Sequence, residues 1–410
     1  MMWRKTIVSF LLIGIFLGLF IRYQHRAPKR HFCDYRVYYA TGKRFLQGQD
    51  IYSRPKEEIT PFKYSPLFAL FMAPLATFSE RTSANLFFIL NILCIFLIFE
   101  LSKKLIFFKD SDFNQKFLIY FIVLILNFRF FLHSLDSGQV SILMVALVIL
   151  GLYFISKRHE LTGSFFISGS VMIKYMPVLF IPYFFLKKKY KLTIFIIVLI
   201  LFYCLLPVLF IGIEKNLFYL SKWLPFISAT SLDKSSFLDF KNQSLWSVVA
   251  RLLSRDSQYG IQVAKLNIYT TLLITSIFCI IFYIFIIFPT NKRMLMPQLN
   301  QFYDCIDYGM LFICVSLFNP NAWIHNFVSL FFPYMVIIYY LMISKFKDKV
   351  IVFFVSVSFI LCSWGSESLV GDRLQGLFES YPTVTLGALF LFSALVKIKF
   401  SKNLLIKQAL

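Results

Sequence analysis

Asp34, Lys174, Arg129 and His325 are the side chains best suited to chemistry in a sequence otherwise dominated by apolar runs. Asp34 sits in HFCDYRVYYATGKRF, just behind the first hydrophobic segment. From it, Tyr35, Tyr38, Tyr39, Gly42, Phe45 and Leu46 recur at helical spacing, with Arg36, Lys43 and Arg44 turned away. This pattern predicts an amphipathic helix lying on the outer membrane surface and starting at Asp34. An aspartate there has two readings: it caps the helix, or its carboxylate projects into a cavity and takes a proton as general base. Residue type alone favours the cap.

Lys174 lies in VMIKYMP, inside an apolar stretch. A lysine at bilayer depth costs roughly 2.5–3.5 kcal/mol, so it must snorkel to the surface or find a partner such as a lipid phosphate. Arg129, in LNFRFF, poses the same choice, and its planar fork is the better phosphate clamp. His325 opens an apolar run beside Trp323, where a Trp ordinarily anchors at the interface and a lone His is more often interfacial than catalytic. Three further polar clusters are Asp136-Ser137-Gly138-Gln139, Asn242-Gln243-Ser244 and Asn319-Pro320-Asn321. The second also reads as a glycosylation sequon, a weak signal. There is no P-loop, dinucleotide fingerprint or H-E-x-x-H motif. With no second carboxylate clustered beside Asp34, no bound metal or other cofactor is expected.

The elements that position these residues are membrane helices. The 410 residues are 59% hydrophobic and 19% aromatic, against roughly 45–50% apolar content in soluble domains. Mean hydropathy is +0.72. Candidate spans run 6–21, 84–101, 116–133, 140–156, 192–213, 268–288, 305–318, 325–343, 350–364 and 381–396, giving an all-α polytopic bundle of about 10–12 spans. Residues 163–186 are flanked by lysines and arginine on both sides and predict a helical hairpin, with Gly163, Gly169, Pro177 and Pro182 as its breaks. PFKYSPLFALFMAPLATF, interrupted by Pro61, Pro66 and Pro74, predicts an element that dips into the outer leaflet.

The net charge of +22 lies mostly in short tracts between apolar runs, which specifies topology and excludes a nucleic-acid surface. With the N-terminus inside, the cytoplasmic segments hold half of the 42 Lys and Arg, while the short opposite loops 134–139, 319–324 and 365–380 hold only Arg373. The basic stretch 22–83 falls outside, as long loops can. The first apolar run lacks a small-residue cleavage site and reads as an uncleaved span. Seven scattered cysteines without a C-x-x-C give neither a disulfide framework nor a zinc site. The expected organisation is one membrane-embedded domain over 1–410: a first span to residue 21, an extracytoplasmic loop 22–83, and the remaining spans 84–410. The polar clusters fall on the extracytoplasmic side and are expected to converge.

The stretches CDYRVYYATGKRFLQGQDIY, FKYSPLFALFMAPLA, SGQVSILMVAL, GSVMIKYMPVLFIPYFFLKKK, NQSLWSVVARLL and NPNAWIHNFVSLFFPY occur in order. In order and spacing they resemble the polyprenyl-phosphate-mannose-dependent membrane mannosyltransferases, glycosyltransferase family eighty-seven. The resemblance implies a GT-C-type bundle whose catalytic aspartate sits in the first extracytoplasmic loop. It makes Asp34 the base, with His325 assisting at the phosphate. It places Lys174 and Gln243 in or near the donor and acceptor cavity, with Trp323, His325 and Asn326 on a W-x-H-H-like segment; Arg129, Gln139, Asn242 and Tyr64 join them as candidate substrate-binding residues. The implied donor is a polyprenyl-phosphate sugar, and the acceptor a glycan or glycolipid. The implied location is a bacterial inner membrane, among whose lipids the enzyme works. Three residues depart from the family pattern: Ser65 replaces the first proline of Y-P-P, Asn319 a serine, and Asn326 the second histidine of a W-x-H-H-like segment. The rival class is a transporter or flippase of lipid-linked sugars, which would show internal repeats and ionisable residues through the midplane. The sequence shows no repeat, and its polar clusters crowd one face. A purely structural subunit would not need Asp34, Gln243 and His325 on the same side.

Overall fold

In the computed structural model, residues 14, 17–25, 33–53, 61–106, 113–230, 234–257, 262–288, 297–365 and 367–401 are described. Among them the chain is helical, with an isolated bridge between Ser254 and Leu266 and no strand. Helix α1 covers residues 17–25, so it runs past the predicted stop at Ile21; most of the remaining predicted first span lies outside the described residues. Two helices occupy the first loop, α2 (Cys33–Leu46) and α3 (Pro66–Met72), followed by a 3-10 turn at Leu75–Thr77. The body then comprises α4 (Glu80–Ile106), α5 (Phe113–Ser137), α6 (Ser141–Ser156), α7 (Glu160–Ile173), α8 (Phe180–Leu186), α9 (Tyr190–Leu205), α10 (Val208–Ile211) and α11 (Ile213–Thr230). It closes with α12 (Lys234–Leu238), α13 (Leu245–Leu253), α14 (Ile268–Ile287), α15 (Pro297–Leu317), α16 (Phe331–Ile343), α17 (Lys349–Ser363), α18 (Glu367–Ser380) and α19 (Thr383–Phe400).

Six described helical stretches are long and apolar enough to cross a bilayer, and shorter apolar helices such as α6, α7 and α17 pack among them. This is an all-α polytopic membrane protein. In hydrocarbon every backbone polar group must be paired within the segment, which is why the apolar runs become helices. Their burial is unequal. In the stretch Ile324–Ile343, which joins a 3-10 turn (Ile324–Leu330) to α16, 89% of the most apolar 18 residues is buried, against 17% for Tyr190–Ile211 and for α14. The former is the central stave; the other two are peripheral and present Leu201, Phe202, Leu273 and Ile280 outwards.

The hairpin forms, with different breaks. Ile173 ends α7, Lys174 is extended, and Pro177 lies in a 3-10 turn (Met176–Leu179) leading into α8. At its apex Lys174 bonds Ser141, at the start of α6; at its far end Lys187 pairs with Asp307 at 2.8 Å. Asp307 also meets Lys399, near the end of α19, so the chain has returned to the opposite end of the bundle. Gly163 and Gly169 lie inside α7, and Pro182 inside α8. A Cβ at Gly163 would stand 2.8 Å from the carbonyl of Gly151, so this glycine serves the close approach of α6 and α7 instead of a break.

Helix α2 is amphipathic, with Arg36 and Lys43 exposed and its tyrosine face packed against the bundle. Tyr35, Tyr38, Tyr39 and Phe45 are buried, and all three tyrosine hydroxyls are bonded: Tyr35 to Ser83, Tyr38 to Gln139 at 3.0 Å, and Tyr39 to the Phe78 carbonyl at 2.9 Å. Two assignments by periodicity are corrected. Arg44 is buried and donates to the carbonyls of Ile51 and Ser53, whereas Leu46 is exposed. A guanidinium that satisfies loop carbonyls can be buried where spacing alone would turn it outwards.

Candidate active site

Asp34 lies in the first turn of α2, where the helix dipole favours a negative charge. It lines a cavity of about 400 Å³ at the end of the bundle that carries the α5–α6 turn and the segment 319–326. Gln139 hydrogen-bonds the carboxylate. The orientation of that amide is fixed from behind, because its Oε1 accepts from the Val140 N–H at 3.2 Å and the Tyr38 hydroxyl at 3.0 Å. Tyr64 reaches Tyr38 at 2.7 Å. With the oxygen so occupied, Nε2 remains to donate to Asp34. The turn delivering Gln139 requires Gly138, which has φ +65° and would bring a Cβ within 2.5 Å of the Tyr35 Cβ.

Burial pushes the Asp34 carboxyl above the ordinary carboxylate range, opposed by the Gln139 hydrogen bond and the charges of Lys174 and Lys63. Burial likewise raises Tyr38 well above its usual range, and Tyr64 is raised too, so both remain phenols and donors. The result is a carboxylate that is partly desolvated, aimed into a cavity, and held by one amide.

Facing it, Lys174 donates to Ser141 Oγ at 2.9 Å and to Asn326 Oδ1. It does not snorkel. Asn326 in turn donates to the Asn321 carbonyl at 3.3 Å. His325, Trp323 and Tyr64 line the same cavity, and the Trp323 indole is fixed by Asn321 Oδ1 at 2.6 Å. The other two departures from the family pattern, Ser65 and Asn319, also have visible partners. Ser65 caps α3 and donates to the Met172 carbonyl near the hairpin apex at 2.5 Å, and Asn319 accepts from the Asn321 N–H at 3.2 Å.

Asn242, Gln243 and Arg129 lie outside the cavity. The Asn242 amide donates to Pro320 O at 2.8 Å and accepts from Ala322 N at 3.0 Å, and Gln243 donates to Glu379 O at 2.8 Å. They buttress the segment 320–322 from behind, and a fully buried Asn242 has no room for a glycan. Arg129 donates to Cys362 O at 2.6 Å and to Gly365 O at 2.5 Å, with Glu379 4.0 Å away. A guanidinium occupied in this way is not presented to a phosphate. Asp136 is buried against Arg22, at the end of α1.

Sequence reading did not single out His133, Lys63, Trp223 or Tyr175, which also line the cavity. A usable signal existed for His133, which lies one turn before Ser137 on α5 and therefore on the same face.

The helical membrane bundle thus brings one carboxylate, Asp34, to face Lys174 and His325 across a single pocket. The chain belongs to glycosyltransferase family 87, whose sequence profile matches residues 62–299. Its chemistry is therefore sugar transfer from a donor to an acceptor. The matched segment contains Tyr64, Arg129, Gln139, Lys174, Asn242 and Gln243; Asp34 and residues 323–326 lie outside it. No curated protein and no solved structure matches the chain.

Proposed function

We propose that this enzyme moves mannose, or a related sugar, from a polyprenyl-phosphate donor to an extracytoplasmic glycan or glycolipid with inversion at the anomeric carbon, Asp34 acting as general base. The observation that carries the reading is the placement of Asp34, held by Gln139, in one cavity with Lys174 and His325. Asp34 takes the proton of the acceptor hydroxyl as its oxygen attacks the anomeric carbon. The bond to the phosphate oxygen breaks on the opposite face, and its electron pair leaves with the lipid phosphate. Lys174 and His325 stabilise the charge that develops there. A raised carboxylate pKa brings the base closer to neutral pH, where proton transfer is more favourable.

A lipid donor suits the surroundings. Trp223 lines the cavity from α11, whose other side exposes Leu217, Phe218 and Leu224, so one helix separates the pocket from an apolar surface. Nucleotide sugars are absent outside the membrane, whereas a lipid-linked sugar is reached laterally. As proposed, the step needs no metal, because the lysine and histidine meet the departing phosphate.

Cys33 opens α2, so Asp34 lies inside the first turn and is not its cap. Asp34→Asn separates a base from a first-turn charge, whose loss should cost about 0.3–1 kcal/mol of stability. Loss of a general base costs on the order of 10²–10⁴-fold in rate. The variant should insert, purify and bind the lipid-linked sugar, with transfer almost abolished. Retention of half the parent turnover would leave Asp34 a first-turn charge only and remove the proposed mechanism.

A further inference from the structure

His133 faces the cavity without a part in the reaction as proposed. It lies on the face of α5 packed against the 3-10 turn that carries His325, where Phe130 meets Phe327 with ring centroids 6.0 Å apart. One turn on, Ser137 Oγ donates to the His133 carbonyl at 2.8 Å, and both residues line the pocket. The imidazoles of His133 and His325 stand 5.9 Å apart, centroid to centroid, with planes inclined by 36°. Two rings at this spacing can each turn an N–H towards a single tetrahedral anion lodged between them. Lys174 and Lys63 belong to the same lining, so the cavity opposes one carboxylate, Asp34, to two lysines and two imidazoles.

We propose that His133 and His325 form a two-imidazole clamp on the phosphate of the donor, which makes His133 a phosphate-binding residue of this site. The inference rests on the lipid-phosphate reading above. The chemistry explains the need for two donors. The donor phosphodiester carries one negative charge; when the anomeric C–O bond breaks, its electron pair stays on the phosphate oxygen and the product monoester carries up to two. The acceptor proton goes to Asp34. Donors fixed around that phosphate bind the departing group more strongly than the intact donor, which is the condition for accelerating the step. A neutral imidazole supplies such a donor without the desolvation cost of burying another ammonium.

The test uses the full-length protein in lipid nanodiscs titrated with polyprenyl phosphate, the product side of the reaction. His133→Ala should weaken binding about 10-fold or more, the consequence of losing one hydrogen bond to a charged group. His133→Gln, which keeps an N–H donor, should recover part of the loss, and the KM for the acceptor should not move. Combined with His325→Ala, the loss should be less than the product of the two single effects, because both donors share one ligand. Polyprenol without its phosphate should bind parent and variants alike. Parent-like affinity for polyprenyl phosphate in a folded His133→Ala protein overturns the clamp, as does an equal weakening for polyprenol. A parent protein that transfers sugar yet binds no polyprenyl phosphate would instead overturn the donor assignment, and the clamp with it.

Discussion

Lys174 and Asn326, 152 positions apart in sequence, are joined by a hydrogen bond from the ammonium to the side-chain oxygen, and the same ammonium reaches Ser141 Oγ at 2.9 Å. The apex of a hairpin is thereby fixed to both walls of the pocket. Lys174→Gln keeps a donor of similar reach and removes the charge. Hydrogen bonds from charged groups contribute about 1.5–3 kcal/mol, so donor binding should fall roughly 10–100-fold. The KM for the acceptor should change far less. Steady-state kinetics with each substrate varied in turn would show it, and parent-like donor kinetics would reduce the lysine to a structural tie.

The pH profile should report Asp34. The ionised carboxylate is the active form, so the rate climbs with pH through its pKa, which burial has raised. Gln139 and Lys174 pull that value down. Gln139→Leu removes the largest of the lowering contributions and should move the acidic limb of kcat/KM to higher pH. A limb that stays in place in this variant would show that another group sets it.

The fold was legible where apolar runs exceed the bilayer thickness, since only a helix pairs its own backbone there. The hairpin was legible from lysines at both its ends. What pattern could not show is which polar residues face the pocket. Asn242, Gln243 and Arg129 look like site residues because polar groups in an apolar chain demand a role; their partners are backbone carbonyls contributed by segments up to 236 residues away in sequence. Arg44 was misplaced for the same reason, its partners being loop carbonyls. Gln139 was placed correctly within a turn, although its orientation depends on the Tyr38 hydroxyl, a contact with no trace in local sequence.

Arg129→Ala should act on stability. It leaves Glu379 buried without its guanidinium and frees two carbonyls, and breaking a buried ion pair typically costs about 3–5 kcal/mol. The expected result is a lower thermal unfolding midpoint, with the donor KM of the surviving folded protein near that of the parent. A stable variant with a raised donor KM would return Arg129 to the substrate.

The lysine and arginine distribution predicts that the pocket faces the extracytoplasmic side. Cys33 opens α2, next to Asp34, and should be modified by a membrane-impermeant thiol reagent added outside intact cells. Modification only after permeabilisation would place the pocket on the cytoplasmic side, where nucleotide sugars compete as donors.

The pocket holds about 400 Å³, while α9 and α14 turn apolar side chains outwards over most of their length. A space of that size accommodates a sugar, a phosphate and the reacting end of an acceptor, and nothing of a long isoprenoid. On the proposed donor, the tail stays dissolved in the bilayer and is never measured. Selectivity then resides in the head group, and isoprenoids of different lengths become interchangeable provided each carries the right sugar.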